Sequence, residues 1–280
     1  MVGKNEMWDR SINLKAYMDV ESMSNYVTVE DLEKYRKLLL SKSEPAVKFI
    51  RNVIYKGIPL KVLEFCSGSS RMLYALEKEG LLENGYGVEI SPSRHEFAQK
   101  WKDALGSRGV HNIYCSAEDY TFPDSKIDLV IMIDGALSYI YPCRPELPRK
   151  ILKQSCKHLT KGGVILLESD VLSEDQFSLM KRDRRSRTWN WGDEKDPFKY
   201  ALYQTEPVSW EQMVFKNTSI YLLRHTFEEK IKEELYKFYS ADELTSMMDK
   251  IGLSVRHYRS FSLDPYDSTA KSLVTLAVKN

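Results

Sequence analysis

The stretch VLEFCSGSSRM, Val62 to Met72, decides how this chain is read. An apolar run carrying an acid, Glu64, gives way to a turn of small residues, Cys66, Ser67, Gly68, Ser69 and Ser70, which leads into a helical pattern. Small side chains let a ligand lie directly against such a turn, and the exposed N–H groups of a helix start favour electron-rich groups there. A second acid, Glu89, stands near the end of the strand-like run GYGVEI, Gly85 to Ile90. Its distance from Gly68 is close to the spacing of about 20 residues at which a doubly wound nucleotide fold sets a carboxylate on ribose hydroxyls. The turn holds one glycine where the dinucleotide fingerprint has three, which disfavours a pyrophosphate cradle and leaves other nucleotide-like ligands.

Outward from this stretch, strand-like and helical patterns alternate. Strands are expected at Val62 to Cys66, Gly85 to Ile90, His111 to Cys115, Ile127 to Ile133 and Gly163 to Glu168. Helical periodicity falls at Ser70 to Glu79, Pro92 to Leu105 and Glu146 to Leu159. Parallel strands need crossover connections, which these helices supply, so an α/β core with a parallel sheet is expected over residues 59–180. Residues 1–58 read as an N-terminal helical segment, with one or two helices in Val29 to Ile54, covering the sheet or the mouth of the site.

After Glu168 the rhythm changes. Lys181 to Arg187 is strongly basic, Trp189 to Pro197 reads as polar and turn-like, and Tyr200 to Tyr239 is rich in strand-favouring residues. Residues 181–239 are therefore expected to form an antiparallel insertion. Residues 240–280 complete the core with a helix, Ala241 to Lys250, and strands at Leu253 to Phe261 and Ser272 to Lys279. Ser240 and Glu243 form a capping-box pattern at the start of that helix.

The chain has 280 residues, 42% of them hydrophobic, enough to bury a sizeable core. Its 41 Lys and Arg nearly cancel its 40 Asp and Glu, so it lacks the global positive field that favours nucleic acid. Cys66, Cys115, Cys143 and Cys156 form no CxxC pair and read as free thiols of a reducing compartment. With no signal-like start and no apolar window of membrane-spanning length, the expected location is cytoplasmic, away from membranes. No histidine falls in a recognised metal spacing, and no metal is expected.

From about Val62 onward the chain resembles the class I S-adenosylmethionine-dependent methyltransferases, small-molecule type. Glu64-Phe-Cys-Ser-Gly-Ser-Ser looks like that family's acidic-x-Gly-x-Gly-x-Gly loop, with Cys66 and Ser70 in place of the first and third glycines. Gly87-Val-Glu-Ile-Ser-Pro resembles the second-strand segment whose acid binds the ribose. Cys115-Ser-Ala-Glu-Asp-Tyr resembles the segment that holds the adenine, with Ser116 where an Asp is usual. Ile127-Asp-Leu-Val-Ile-Met-Ile-Asp-Gly-Ala-Leu is similar to the fourth strand and its following loop, and Leu159-Thr-Lys-Gly-Gly to the turn into strand five, with Lys161 at a proline position. Tyr239-Ser-Ala-Asp-Glu-Leu is similar to a late stretch of the small-molecule members.

The resemblance implies a Rossmann-like methyltransferase fold, a mostly parallel seven-stranded sheet with helices on both faces and an antiparallel insertion after strand five. It also implies S-adenosyl-L-methionine as cofactor and S-adenosyl-L-homocysteine as product. Carried over position by position, the cofactor residues are Glu64, Phe65, Cys66, Ser67, Gly68 and Arg71 around the turn, and Glu89 and Ile90 after the second strand. Ser116, Ala117 and Glu118 follow on the adenine side, with Asp134 and Gly135 beside the methionine moiety.

Methyl transfer from a sulfonium chiefly requires a nucleophile held in line with the S–CH3 bond. A base helps when the acceptor arrives protonated, and Asp134 and His225 are the catalytic candidates, with Tyr139 and Glu168 also within consideration. Asp134 closes an apolar strand at the sheet's carboxyl edge, where such sheets bind ligands, which favours the site over a loop or cap carboxylate, whereas His225 reads equally as a base or a solvated strand residue. Tyr139, Trp189, Trp191 and Tyr203 are candidate walls of an acceptor pocket, or else ordinary sheet packing. The acceptor is expected to be a small molecule with an O, N or C nucleophile, handled by a monomer or homodimer. RNA or protein methylation would call for a basic groove or a recognition domain, and a non-catalytic cofactor-binding subunit is the remaining alternative.

Overall fold

The structure, a computed structural model, describes residues 29–122, 126–172, 174–192, 198–224, 226–270 and 272–280. Its main sheet is built from β1 (Leu60–Phe65), β2 (Leu82–Glu89), β3 (Val110–Tyr114), β4 (Ile127–Met132), β5 (Leu159–Asp170), β10 (Leu253–Arg259) and β11 (Ser272–Lys279). The seven strands lie in the order β3-β2-β1-β4-β5-β11-β10. All neighbours among the first five are parallel, while β11 runs antiparallel to both β5 and β10.

Alternation along the strands divides the core in two. Val62, Leu129, Ile131 and Leu166 face one layer, where they meet Leu73, Leu76, Phe97 and Trp101. That layer contains α1 (Val29–Val53), α2 (Arg71–Lys78) and α3 (Pro92–Leu105). Leu63, Val130, Met132 and Ile165 face the other, with Leu137, Ile151 and Met248. Their helices are α4 (Ala136–Cys143), α5 (Leu147–His158) and α7 (Ala241–Asp249). Burial on both faces explains why the central strands read as continuous apolar runs.

Helix ends follow their local chemistry. Pro92 opens α3, where a missing N–H costs nothing, Ser91 Oγ accepts the Arg94 N–H, and Gly106 closes it at φ 62°. Ser240 Oγ accepts the Glu243 N–H at 3.1 Å, as the capping box predicts. Two helices are not foreseen in the sequence, α4 and α6 (Glu174–Asp183). The first has only eight residues, contains Pro142 and starts from a left-handed Gly135 without a side-chain cap, so no start or stop signal marks it. The expected one or two helices at the N-terminal side are one, running through Pro45.

Between α6 and α7 stands a second sheet of β6 (Ser186–Trp191), β7 (Phe198–Ser209), β8 (Val214–Leu223) and β9 (Glu229–Lys237), antiparallel in that order. Trp189 and Trp191, expected in a polar turn, are strand residues, because each pairs across β7 with an apolar partner, Leu202 and Tyr200. The basic run divides between the end of α6 and the start of β6. Among the described residues no helix is long and apolar enough to cross a membrane.

Candidate active site

The turn after β1 takes its shape from three positive φ angles, 53° at Cys66, 55° at Gly68 and 56° at Ser70. Left-handed backbone is free for glycine and costs other residues about 1 kcal/mol, so Cys66 and Ser70 adopt at some cost what glycine adopts freely. Ser70 recovers part of this by donating its hydroxyl to Asn112 Oδ1 at 2.7 Å. The turn presses against β2 at Gly87, where a Cβ would come within 2.7 Å of Ser70 Oγ. No residue but glycine fits there without moving the loop.

Glu89, at the end of β2, fastens the turn. Its Oε2 accepts the Gly68 N–H at 2.7 Å and its Oε1 accepts the Ser91 N–H at 2.7 Å. Each carboxylate oxygen has a second lone pair, so the group keeps acceptor capacity on both oxygens. Glu89 lines a cleft of about 1160 Å³ over the carboxyl ends of β1, β2 and β4, the edge at which such sheets bind ligands. Ile90, 40% exposed, gives this cleft an apolar wall, and Ser116, Ala117 and Glu118 stand beyond it. Glu118 pairs with Arg144, and with Lys150 at 3.6 Å.

Glu64 is 3% exposed, lines the same cleft, and its Oε2 has no hydrogen-bond partner. Burial pushes its carboxyl well above the usual carboxylate range, against the pull of Arg71. Arg71 donates to Ser43 Oγ at 2.8 Å and pairs with Asp134 Oδ2 at 2.5 Å, joining the first turn of α2 to the loop after β4. The Asp134 N–H in turn donates to Glu168 Oε2 at 3.3 Å, and Ser272 Oγ donates to Glu168 Oε1 at 3.1 Å. Burial, then the Asp134 charge, raise the Glu168 carboxyl. A side chamber of about 370 Å³ opens here, walled by Glu168, Ser260 and Phe261 and sharing Lys42, Arg71 and Asp134 with the cleft.

The inserted sheet reaches this edge through β9. The Tyr139 hydroxyl donates to Glu234 Oε1 at 3.2 Å, and its ring meets Tyr236 edge-on at 4.9 Å between centroids. Tyr236 donates to Asp170 Oδ2 at 2.9 Å and accepts the Asp170 N–H at 3.2 Å. Burial drives its phenol far above the ordinary value.

The sequence profile of the methyltransferase domain family matches residues 30–258, which include the turn, both acids and the whole inserted sheet. The chain belongs to this family of methyltransferase domains. None of the curated proteins matches the sequence. Among solved structures, a S-adenosylmethionine-dependent methyltransferase from Clostridium acetobutylicum superposes with a TM-score of 0.70 at 14% identity, over 90% of this chain and 98% of that one. CalS10, an amino pentose methyltransferase from Micromonospora echinaspora, gives 0.66 at 13%, over 90% and 97%. The sugar N-methyltransferase KedS8 from a Streptoalloteichus species gives 0.62 at 14%, over 90% and 93%. At these identities the likeness is one of fold.

In this methyltransferase Glu64, Cys66, Ser67, Gly68, Arg71, Glu89 and Ile90 share one cleft with Ser116, Ala117, Glu118, Asp134 and Tyr139. Phe65 lies beneath the turn, buried edge-on against Tyr120 and Phe122, and Gly135 forms the left-handed start of α4. Trp189 and Trp191 stand exposed on β6, and Tyr203 packs on Tyr221, none of them in the cleft wall. His225 lies outside the described residues. Sequence reasoning misses Leu39 and Lys42 of α1, Arg94 of α3 and Lys232 of β9, all in the cleft wall. The apolar stripe of α1 signals a packing face, but nothing in EKIKEEL, Glu229 to Leu235, distinguishes Lys232 from its charged neighbours.

Proposed function

We propose that this methyltransferase transfers the methyl group of S-adenosylmethionine to a small-molecule nucleophile. The observation that carries the proposal is the Glu89 carboxylate, fastened to the Gly68 and Ser91 amides yet open to the cleft, as a receptor for two ribose hydroxyls needs. The rest of the wall fits the same ligand. The unpartnered Glu64 Oε2 suits an amino acid's ammonium group, and the exposed Ile90 suits an adenine face. Bound there, S-adenosylmethionine supplies a methyl group on a positively charged sulfur, open to in-line displacement.

The protein's own task is then to hold the acceptor and accept its proton. Asp134 and Glu168 stand together at the ends of β4 and β5 for that purpose, with Glu168 the better base near neutral pH because its carboxyl is raised. Tyr139 and Lys232 border the acceptor from the other side. A small acceptor is favoured because α1 and β9 close over the cleft and the adjoining chamber measures only about 370 Å³. Structures of the same fold include an amino pentose methyltransferase and a sugar N-methyltransferase. Helix α1 and the 181–239 insertion then enclose the acceptor, while residues 59–180 and 240–280 form the cofactor-binding core. Residues 1–28 of the expected N-terminal segment lie outside the described residues.

Calorimetric titration with S-adenosylmethionine, followed by incubation of the complex with a metabolite library and mass detection of a gain of one methyl, tests both halves. No binding refutes the cofactor assignment. Binding without any methylated product favours a non-catalytic cofactor-binding subunit instead.

A further inference from the structure

The chamber beside the cleft has a polarity of its own. Lys42, Pro45 and Ala46 reach it from α1, while Ile133, Asp134 and Glu168 reach it from the ends of β4 and β5, so it lies between helix and sheet edge. The turn between β10 and β11 adds Ser260 and Phe261, the Phe261 ring standing edge-on to Phe49 of α1 at 6.0 Å between centroids. Lys42, Arg71, Ile133 and Asp134 belong to both walls, so a molecule in the chamber abuts one in the cleft. At about 370 Å³ the chamber falls at the small end of ligand pockets.

Its charges sort into one closed pair and two open ends. Arg71 and Asp134 neutralise each other at 2.5 Å, and Arg71 also donates to Ser43 Oγ. Among the described residues the Lys42 ammonium has no partner. Glu168 accepts the Asp134 N–H on one oxygen and the Ser272 hydroxyl on the other, which leaves a lone pair on each. A cation on a flexible stem therefore stands on the α1 side and a carboxyl group on the sheet side, and Pro45, Ala46, Ile133 and Phe261 supply apolar wall. A simple amine would meet Glu168 but would set its ammonium near that of Lys42, like charge against like in a confined space. A phosphate calls for the fork of an arginine, and Arg71 is already engaged. A molecule that carries an ammonium and a carboxylate on a short apolar frame satisfies both ends.

We propose that the chamber takes an α-amino acid with an apolar side chain as the methyl acceptor, its carboxylate on Lys42 and its amino group on Glu168, an assignment that rests on the cofactor reading above. The ammonium gives one proton to the Glu168 carboxylate. The freed nitrogen lone pair forms the N–CH3 bond as the S–CH3 bond breaks, and the pair from the broken bond stays on sulfur. The products are an N-methylated ammonium, a neutral thioether and a proton, which leaves Glu168 for solvent. A carboxyl raised by burial, as that of Glu168 is, receives such a proton better than an ordinary one.

Calorimetry of the full chain saturated with S-adenosylhomocysteine tests this, with each apolar amino acid compared with the amine left by loss of its carboxylate and the acid left by loss of its amino group. At least one amino acid should bind, and its amine and its acid should each bind about 10-fold or more weakly, for want of one charged contact. Lys42→Gln should cut amino acid affinity by a similar factor without weakening the amine, and Glu168→Gln should do so without weakening the acid. Both variants should keep the wild-type affinity for S-adenosylhomocysteine, which shows that they are folded. With S-adenosylmethionine the bound amino acid should gain one methyl on nitrogen; a methyl on its carboxylate overturns the proposal. An amine or an acid that binds as tightly as its amino acid overturns it, as does saturation with S-adenosylhomocysteine and no amino acid bound. A fall in S-adenosylhomocysteine affinity in Lys42→Gln assigns that ammonium to the cofactor and overturns it too. Failure of S-adenosylhomocysteine itself to bind refutes the cofactor reading, and the acceptor assignment falls with it.

Discussion

A Cβ at Gly135 would stand 2.9 Å from the Tyr236 hydroxyl, so the residue that opens α4 in the core and a residue of β9 in the inserted sheet fit each other only while one of them is glycine. Gly135 also sits at φ 71°. The Tyr236 hydroxyl bonds to Asp170 at the end of β5, so one side chain joins the insertion to two elements of the sheet's carboxyl edge.

Gly135→Ala should therefore destabilise the protein by about 3 kcal/mol, from left-handed strain together with overpacking. Denaturant unfolding measures this. Combined with Tyr236→Ala, the loss should be less than additive, since the atoms met by the new methyl are gone. Simple additivity would mean that the two positions do not meet.

Glu89→Gln replaces one oxygen with an amide nitrogen, which must face either the Gly68 or the Ser91 N–H, a donor against a donor. Loss of the charge also weakens any bond to ribose hydroxyls. S-adenosylmethionine affinity should fall by about 1 to 3 kcal/mol, read by calorimetry. An unchanged dissociation constant would transfer the ribose role to another acid.

Glu64→Gln should act in opposite directions on stability and on binding. Burial raises the Glu64 carboxyl above its ordinary 4.5, so the folded state holds this proton more tightly than the unfolded chain does. The stability contributed by protonation is fully present below pH 4.5 and is lost as pH rises through the folded value. The isosteric amide removes that loss. The variant should match wild type below pH 4.5 and gain on it progressively as the pH rises, followed by thermal melting across pH. Cofactor affinity should drop at the same time, because the ammonium loses its counter-charge. A stability difference that does not vary with pH would contradict the burial argument.

Cys66→Gly should stay within about 1 kcal/mol of wild type, with relief of the positive φ offsetting lost thiol packing. Cys66→Val should lose about 2 kcal/mol or more, because a branched side chain is a poor occupant of left-handed backbone. Equal behaviour of the two variants in denaturant unfolding would show that the turn relaxes.

The sequence by itself determined the core of this protein. Continuous apolar runs mark the strands of a sheet buried on both sides, three- and four-residue spacing marks the helices that cover it, and the small-residue turn after Glu64 is local chemistry written in adjacent residues. Pro92, Ser240 and Glu243 are legible for the same reason, since a cap bonds within its own turn. Contacts between distant segments decided the remainder. Lys42 and Lys232 reach the cleft only because α1 and β9 close over it, and α4 exists through its packing rather than its propensity. Gly135 answers to Tyr236, about a hundred residues away, by steric exclusion that leaves no periodic trace in either segment. The two tryptophans of β6, legible as aromatics, acquired their place on an outer sheet face from the register of four paired strands.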